Sequence, residues 1–136
     1  MYSLFTYGIL RPTNRNPTVL NLNQYIDKTI SGKLYGYKLI VNEQGFIPSV
    51  IESDNKDDYV IGEVIICNSH EKYESILDIV DLISDNFDRD RVKIQTEEGI
   101  LHSAIYIIID HSHYIDCGYS DYYEYLKNEK KLLVNI

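Results

Sequence analysis

Short apolar runs punctuated by glycine and polar turns fill the first two thirds of the chain, and a three- and four-residue apolar recurrence appears clearly only later. Tyr2–Tyr7 is the first such run and ends at Gly8. A polar loop with Pro12 and Pro17 follows, and Val19, Leu22 and Ile26 then suit a short helix or a loosely packed loop equally well. Ile30–Val41 reads as extended, interrupted at Gly32 and Gly36, where a bulge or a close backbone approach is expected. Gly45–Ile51 is a further extended piece that Pro48 restricts to an edge or a bulge, and Tyr59–Cys67 is a buried strand with Gly62 and Glu63 at its middle.

The clearest helix spans Glu71–Ile83, where Tyr73, Ile76, Leu77, Val80 and Ile83 fall on one stripe and Ser69 can cap the start. Arg89–Gln95 and Leu101–Ile109 flank a Glu97-Glu98-Gly99 turn as a β-hairpin, and a tyrosine-rich helix near Ser120–Leu133 closes the chain. Strands first and helices later predict an α+β fold with a mostly antiparallel or mixed curled sheet. At 136 residues and 44% hydrophobic content, one domain over residues 1–136 is expected.

Charge narrows the partners. A net charge of −8 disfavours nucleic acid and anionic membrane surfaces, so no nucleic-acid or membrane partner is expected. No signal-like start and no apolar run long enough to span a bilayer are seen, which makes a cytoplasmic location the expectation. Cys67 and Cys117 are too few for a disulfide framework. His111 and His113, with Asp110 and Asp116 near, lack a third ligand at diagnostic spacing, so no metal is expected there. No Walker, dinucleotide-binding or Gly-x-Ser-x-Gly pattern occurs. The sequence leaves the oligomeric state open.

Three features can carry chemistry. A strand that ends at Gly8 leaves backbone N–H groups unpaired, with no side chain to obstruct a carboxylate or a developing oxyanion. Asp81 falls at the border of the helix's apolar stripe and Asp78 faces further out. Partial desolvation at that border raises a carboxyl pKa toward general-base duty, although a surface aspartate fits the same spacing. Glu63, inside an apolar strand, needs a partner such as Arg89 or Arg91, and structural pairing competes there with direct catalysis.

In order along residues 2 to 109, Tyr7-Gly8-Ile9-Leu10, Gly32-Lys33-Leu34-Tyr35, Gly45-Phe46-Ile47-Pro48, Val60-Ile61-Gly62-Glu63-Val64, Leu77-Asp78-Ile79-Val80-Asp81, Phe87-Asp88-Arg89-Asp90-Arg91-Val92 and Ala104-Ile105-Tyr106 resemble the motifs of the γ-glutamylcyclotransferase-like family. That family includes γ-glutamylamine cyclotransferases and plant avirulence-induced-gene-like proteins. The resemblance implies a small curled mixed β-barrel with flanking helices, no cofactor and a small-molecule substrate. The implied reaction is an intramolecular acyl transfer releasing 5-oxoproline and a free amine. By motif, Tyr7, Gly8, Ile9, Leu10 and Arg11 would cradle substrate and Asp81 would be the acid/base, with Glu63, Tyr35, Arg89 and Tyr106 in support.

The chain departs from the family pattern at Asp81 (glutamate in the family), Ile9 (a hydroxyl residue), Phe87 (tyrosine) and Leu82 (often glycine). Losing one methylene withdraws the carboxylate by roughly 1.5 Å. Three outcomes follow: Asp81 acts from a shifted backbone, Glu63 or another acid substitutes, or the pocket binds and sequesters a small metabolite or signalling molecule without turnover, as could suit a viral or mobile-element protein.

Overall fold

The computed structural model describes residues 2–14 and 16–131. Five strands, β1 (Tyr2–Thr6), β5 (Tyr59–Cys67), β2 (Lys28–Tyr35), β6 (Phe87–Thr96) and β7 (Gly99–Ile108), form a closed barrel in that order. All pairings are antiparallel except the closing one, where β1 and β7 meet in parallel at Leu4 and Ala104. The curled mixed barrel implied by the resemblance is therefore the fold. A separate three-stranded sheet, ordered β4-β3-β8, combines β3 (Tyr37–Val41), β4 (Pro48–Glu52) and β8 (Ile115–Asp116). Pro48 opens β4, an edge strand, where its missing N–H breaks no interior ladder.

Two glycines fix the barrel's packing. Gly32 and Gly62 face one another in the β2–β5 register. A Cβ at Gly32 would lie 2.5 Å from Ile94 Cγ2, and one at Gly62 would lie 2.3 Å from the Thr6 carbonyl oxygen. The glycines thus mark close approach rather than a bulge. Because the obstacle at Gly62 is backbone, Gly62→Ala should destabilise the protein by about 1–3 kcal/mol, read as a lower urea midpoint with little change in slope.

Helix α1 (Pro17–Leu22) starts with Pro17 in its first turn and with the Asn16 side chain accepting from the Val19 N–H at 2.9 Å. A 3-10 turn at Asn23–Tyr25 continues it, so the ambiguous segment is helical. Helix α2 (His70–Ile83) is capped by the Ser69 hydroxyl, which accepts from the Lys72 N–H at 3.2 Å. It lays Ile76, Leu77 and Val80 on Leu4, Ile65 and Ala104 at the outer face of the barrel. Helix α3 (Tyr122–Glu129) is capped by Asp121 and buries Tyr122, Tyr123, Tyr125 and Leu126. The residues beyond 131 that were expected to extend it lie outside the described residues.

Among the described residues, no helix is long and apolar enough to cross a membrane. Both cysteines are buried and free, and burial pushes the Cys117 thiol up to about 11 and the Cys67 thiol upward as well. Native protein should therefore react slowly with a thiol reagent at pH 8 and rapidly once unfolded; fast native labelling would contradict this packing.

Candidate active site

The chain leaves β1 through a tight turn in which the Arg11 N–H donates to the Gly8 carbonyl at 3.2 Å. Among the described residues, the N–H groups of Gly8, Ile9 and Leu10 donate to no protein acceptor. This turn forms one wall of a cleft of about 590 Å³. The absent side chain at Gly8 serves a different neighbour from the one expected: a Cβ there would stand 2.6 Å from Pro48 Cγ. Glycine thus lets β4 pack against the turn, and the free N–H groups are what remains for a ligand.

A second wall is the β3–β4 hairpin, which carries Phe46 and Ile47. Asn42 shapes it, its side-chain oxygen accepting from the N–H groups of Phe46 and Ile47 at 3.1 Å each. Tyr122 of α3 anchors it by donating to the Gly45 carbonyl at 2.9 Å. The tyrosine-rich helix thereby sets the position of the hairpin. The third wall is the α2–β6 connection, residues 83–87, together with Tyr106 and Ile108 of β7.

Tyr7 and Tyr106 join the first and third walls. The Tyr7 hydroxyl donates to the Tyr106 carbonyl at 2.5 Å, and burial holds the Tyr7 phenol well above its ordinary range. The Tyr106 hydroxyl in turn donates to Asp81 Oδ1 at 2.5 Å. Burial, followed by the adjoining carboxylate, keeps the Tyr106 phenol protonated far above neutrality. Arg89 places Nη1 3.6 Å from Asp81 Oδ2 and 3.5 Å from the Tyr106 oxygen.

The predicted residues do not all converge. Tyr7, Gly8, Ile9, Leu10 and Tyr106 line the cleft. Asp81 does not: it occupies the last turn of α2 with its side chain 52% exposed, and reaches the cleft only through Tyr106. The apolar border that Leu77 and Val80 form leaves it in water rather than desolvating it.

Arg11 turns away from the cleft into a buried ion cluster, where Nε donates to Glu63 at 2.5 Å and Nη1 to Asp121 at 2.7 Å. Its guanidinium carbon lies 3.9 Å from the centre of the Tyr123 ring. Glu63 also accepts from the Thr13 N–H at 3.1 Å and the Thr13 hydroxyl at 3.0 Å. Arg11, not Arg89 or Arg91, is therefore the partner of Glu63, and neither lines the cleft. Tyr35 ends β2 half exposed against Tyr59 and lies outside the cleft.

Asp85, a wall residue, leaves no signal in the sequence because it follows the apolar stripe, where periodicity ends. Among the described residues, no cluster of three or more His, Cys, Asp or Glu side chains is placed to hold a metal ion.

The sequence matches the profile of the family described as γ-glutamyl cyclotransferase, AIG2-like, over residues 4–125. Solved structures share the fold. YkqA from Bacillus subtilis superposes with a TM-score of 0.66 at 20% identity, over 96% of this chain and 43% of that one. This chain therefore spans less than half the length of the Bacillus protein. A protein of Arabidopsis thaliana, known from its solution structure, gives 0.61 at 21% identity over 96% of this chain and 83% of the other. The yeast γ-glutamyl cyclotransferase specific to glutathione gives 0.63 at 13% identity over 96% and 85%. Comparison with curated protein sequences gives no match.

Proposed function

Because the chain belongs to the AIG2-like γ-glutamyl cyclotransferase family, we propose that it converts a γ-glutamyl amine or amide to 5-oxoproline and the free amine. The observation that carries this reading is the cleft at the Gly8–Arg11 turn, where the N–H groups of Gly8, Ile9 and Leu10 donate to no acceptor among the described residues. Substrate bound there has its γ-carbonyl oxygen at those donors. Its α-amine, folded back on the same molecule, attacks the γ-carbonyl carbon. The new C–N bond closes a five-membered ring, and negative charge moves onto the carbonyl oxygen, where fixed N–H dipoles stabilise it most. The exocyclic C–N bond then breaks as the departing nitrogen takes up a proton. Holding nucleophile and electrophile in contact supplies much of the acceleration, so the chemical demand on side chains is small.

Asp81 takes the ammonium proton and returns it to the leaving amine, with Tyr106 fixing the carboxylate against the cleft wall. One observation favours a second reading, in which the cleft binds and sequesters its ligand without turnover. The carboxylate lies outside the wall and both its oxygens already face Tyr106 or Arg89.

Incubating the protein with a series of γ-glutamyl amides and quantifying 5-oxoproline by mass spectrometry separates the two. Release well above the spontaneous rate is expected. Saturable ligand binding with no release would replace the enzyme by the sequestering protein.

A further inference from the structure

We propose that Tyr122 is a positioning residue for the cleft: through its hydroxyl it holds the hairpin that carries Phe46 and Ile47 in the posture a ligand needs. The inference rests on γ-glutamyl ligands occupying this cleft and adds a residue of α3 that lies outside its walls.

The hairpin tip, residues 42–47, is built from bonds to itself. The Asn42 N–H donates to the Ile47 carbonyl at 3.2 Å, and the Gly45 N–H donates to the Asn42 carbonyl at 2.9 Å. The Asn42 side chain supplies the rest by accepting from Phe46 and Ile47 and donating to the Gln44 side chain. Among the described residues, a single hydrogen bond ties this tip to another element, from the Tyr122 hydroxyl to the Gly45 carbonyl. Phe46 and Ile47 stay 50% and 48% exposed, so packing alone holds them weakly.

The anchor itself is rigid. Tyr122 is buried, and its ring stacks on that of Tyr125 with centroids 5.9 Å apart. Gly45 has a φ of +80°, and a Cβ there would collide with the Tyr125 hydroxyl and the Lys130 stem. Glycine therefore lets the tip sit directly on α3. The preceding residue completes the arrangement. Asp121 accepts from Arg11, whose own N–H closes the Gly8 turn. Two consecutive residues thus grip opposite walls of the cleft. Without the Tyr122 hydroxyl, ligand binding has to order the tip itself, and affinity falls accordingly.

Tyr122→Phe tests this by removing the hydroxyl while keeping the stacked ring. Calorimetry with γ-glutamyl-n-butylamide, on an Asp81→Asn background that removes the base, should show about threefold to tenfold weaker binding. In the free protein, NMR should show the Phe46 and Ile47 amides exchanging at least about fivefold faster, with the β6–β7 amides at their native rates. Gly45→Ala disturbs the same seat from the hairpin side and should weaken binding likewise. Tyr119→Phe removes a hydroxyl that donates to Glu129 of the same helix at 2.8 Å, and should leave affinity within about twofold. Native-like affinity in Tyr122→Phe and Gly45→Ala, an equal loss in Tyr119→Phe, or faster exchange throughout the barrel would overturn the inference. So would an Asp81→Asn chain that binds no butylamide. Missing 5-oxoproline release from the native chain, with the expected order of affinities intact, would count against the enzymatic reading alone.

Discussion

Asp81→Asn eliminates 5-oxoproline release, and Asp81→Glu increases it by about tenfold to a hundredfold. The first effect is expected because the ammonium must lose a proton before its nitrogen can attack, and among the described residues no other carboxylate is tied to the cleft through Tyr106. The second follows from length. Asp81 is held at the helix end, outside the wall, and one more methylene advances the carboxylate by roughly 1.5 Å toward the reacting nitrogen. Displacements of about 1 Å change rates on the order of a hundredfold. Both variants keep an exposed polar side chain, so their thermal midpoints should match the native protein's within about 2 °C. A fully active Asp81→Asn would exclude Asp81 as the base and point to Asp85, the carboxylate that does line the cleft.

The largest stability effect is expected from Glu63. Its side chain is 4% exposed and that of Arg11 9%. Glu63→Ala strands the guanidinium with Asp121 alone and leaves the Thr13 N–H unpaired, at a cost of about 3–5 kcal/mol. For a chain of this size that lowers the melting midpoint by roughly 10 °C or more. Replacing both charges with apolar side chains, Arg11→Met with Glu63→Leu, should recover much of the loss, since desolvating the ions offsets much of their attraction. Differential scanning calorimetry of the single and double variants checks this. A loss below about 1 kcal/mol for Glu63→Ala would contradict a structural ion pair at the base of the turn. Because Arg11 also closes that turn through its N–H to the Gly8 carbonyl, the single variant should bind γ-glutamyl ligands more weakly too.

Local physics explains which elements could be read directly. Helix α2 was legible because Ile76, Leu77 and Val80 recur on one face and Ser69 precedes them, both within a single segment. The β6–β7 hairpin was legible for the same reason, its turn chemistry lying between its own strands. Strand β8 left no trace: Ile115 and Asp116 are exposed and become strand only by pairing with Val41 and Ile40, some 75 residues earlier. The division into a barrel and a smaller sheet was hidden likewise, because strand pairing is a property of distant segments.

The site divides along the same line. The Gly8 turn was visible as a strand running into glycine, and position 81 came from the motif resemblance. That Arg11 pairs with Glu63 at a separation of 52 residues, and that Asp81 meets Tyr106 across 25, depends on the folded chain. Asp85 lacked even a pattern, since a polar connection after a helix looks the same whether or not it borders a cleft.

The turn at Gly8 is the proposed seat of the γ-carbonyl. A crystal structure of Asp81→Asn with γ-glutamyl-n-butylamide tests it directly. The carbonyl oxygen should lie about 3 Å from at least one N–H nitrogen of Gly8, Ile9 or Leu10, with the butyl group toward Phe46 and Ile47. A ligand seated elsewhere, or one whose carbonyl makes no contact with that turn, would contradict it.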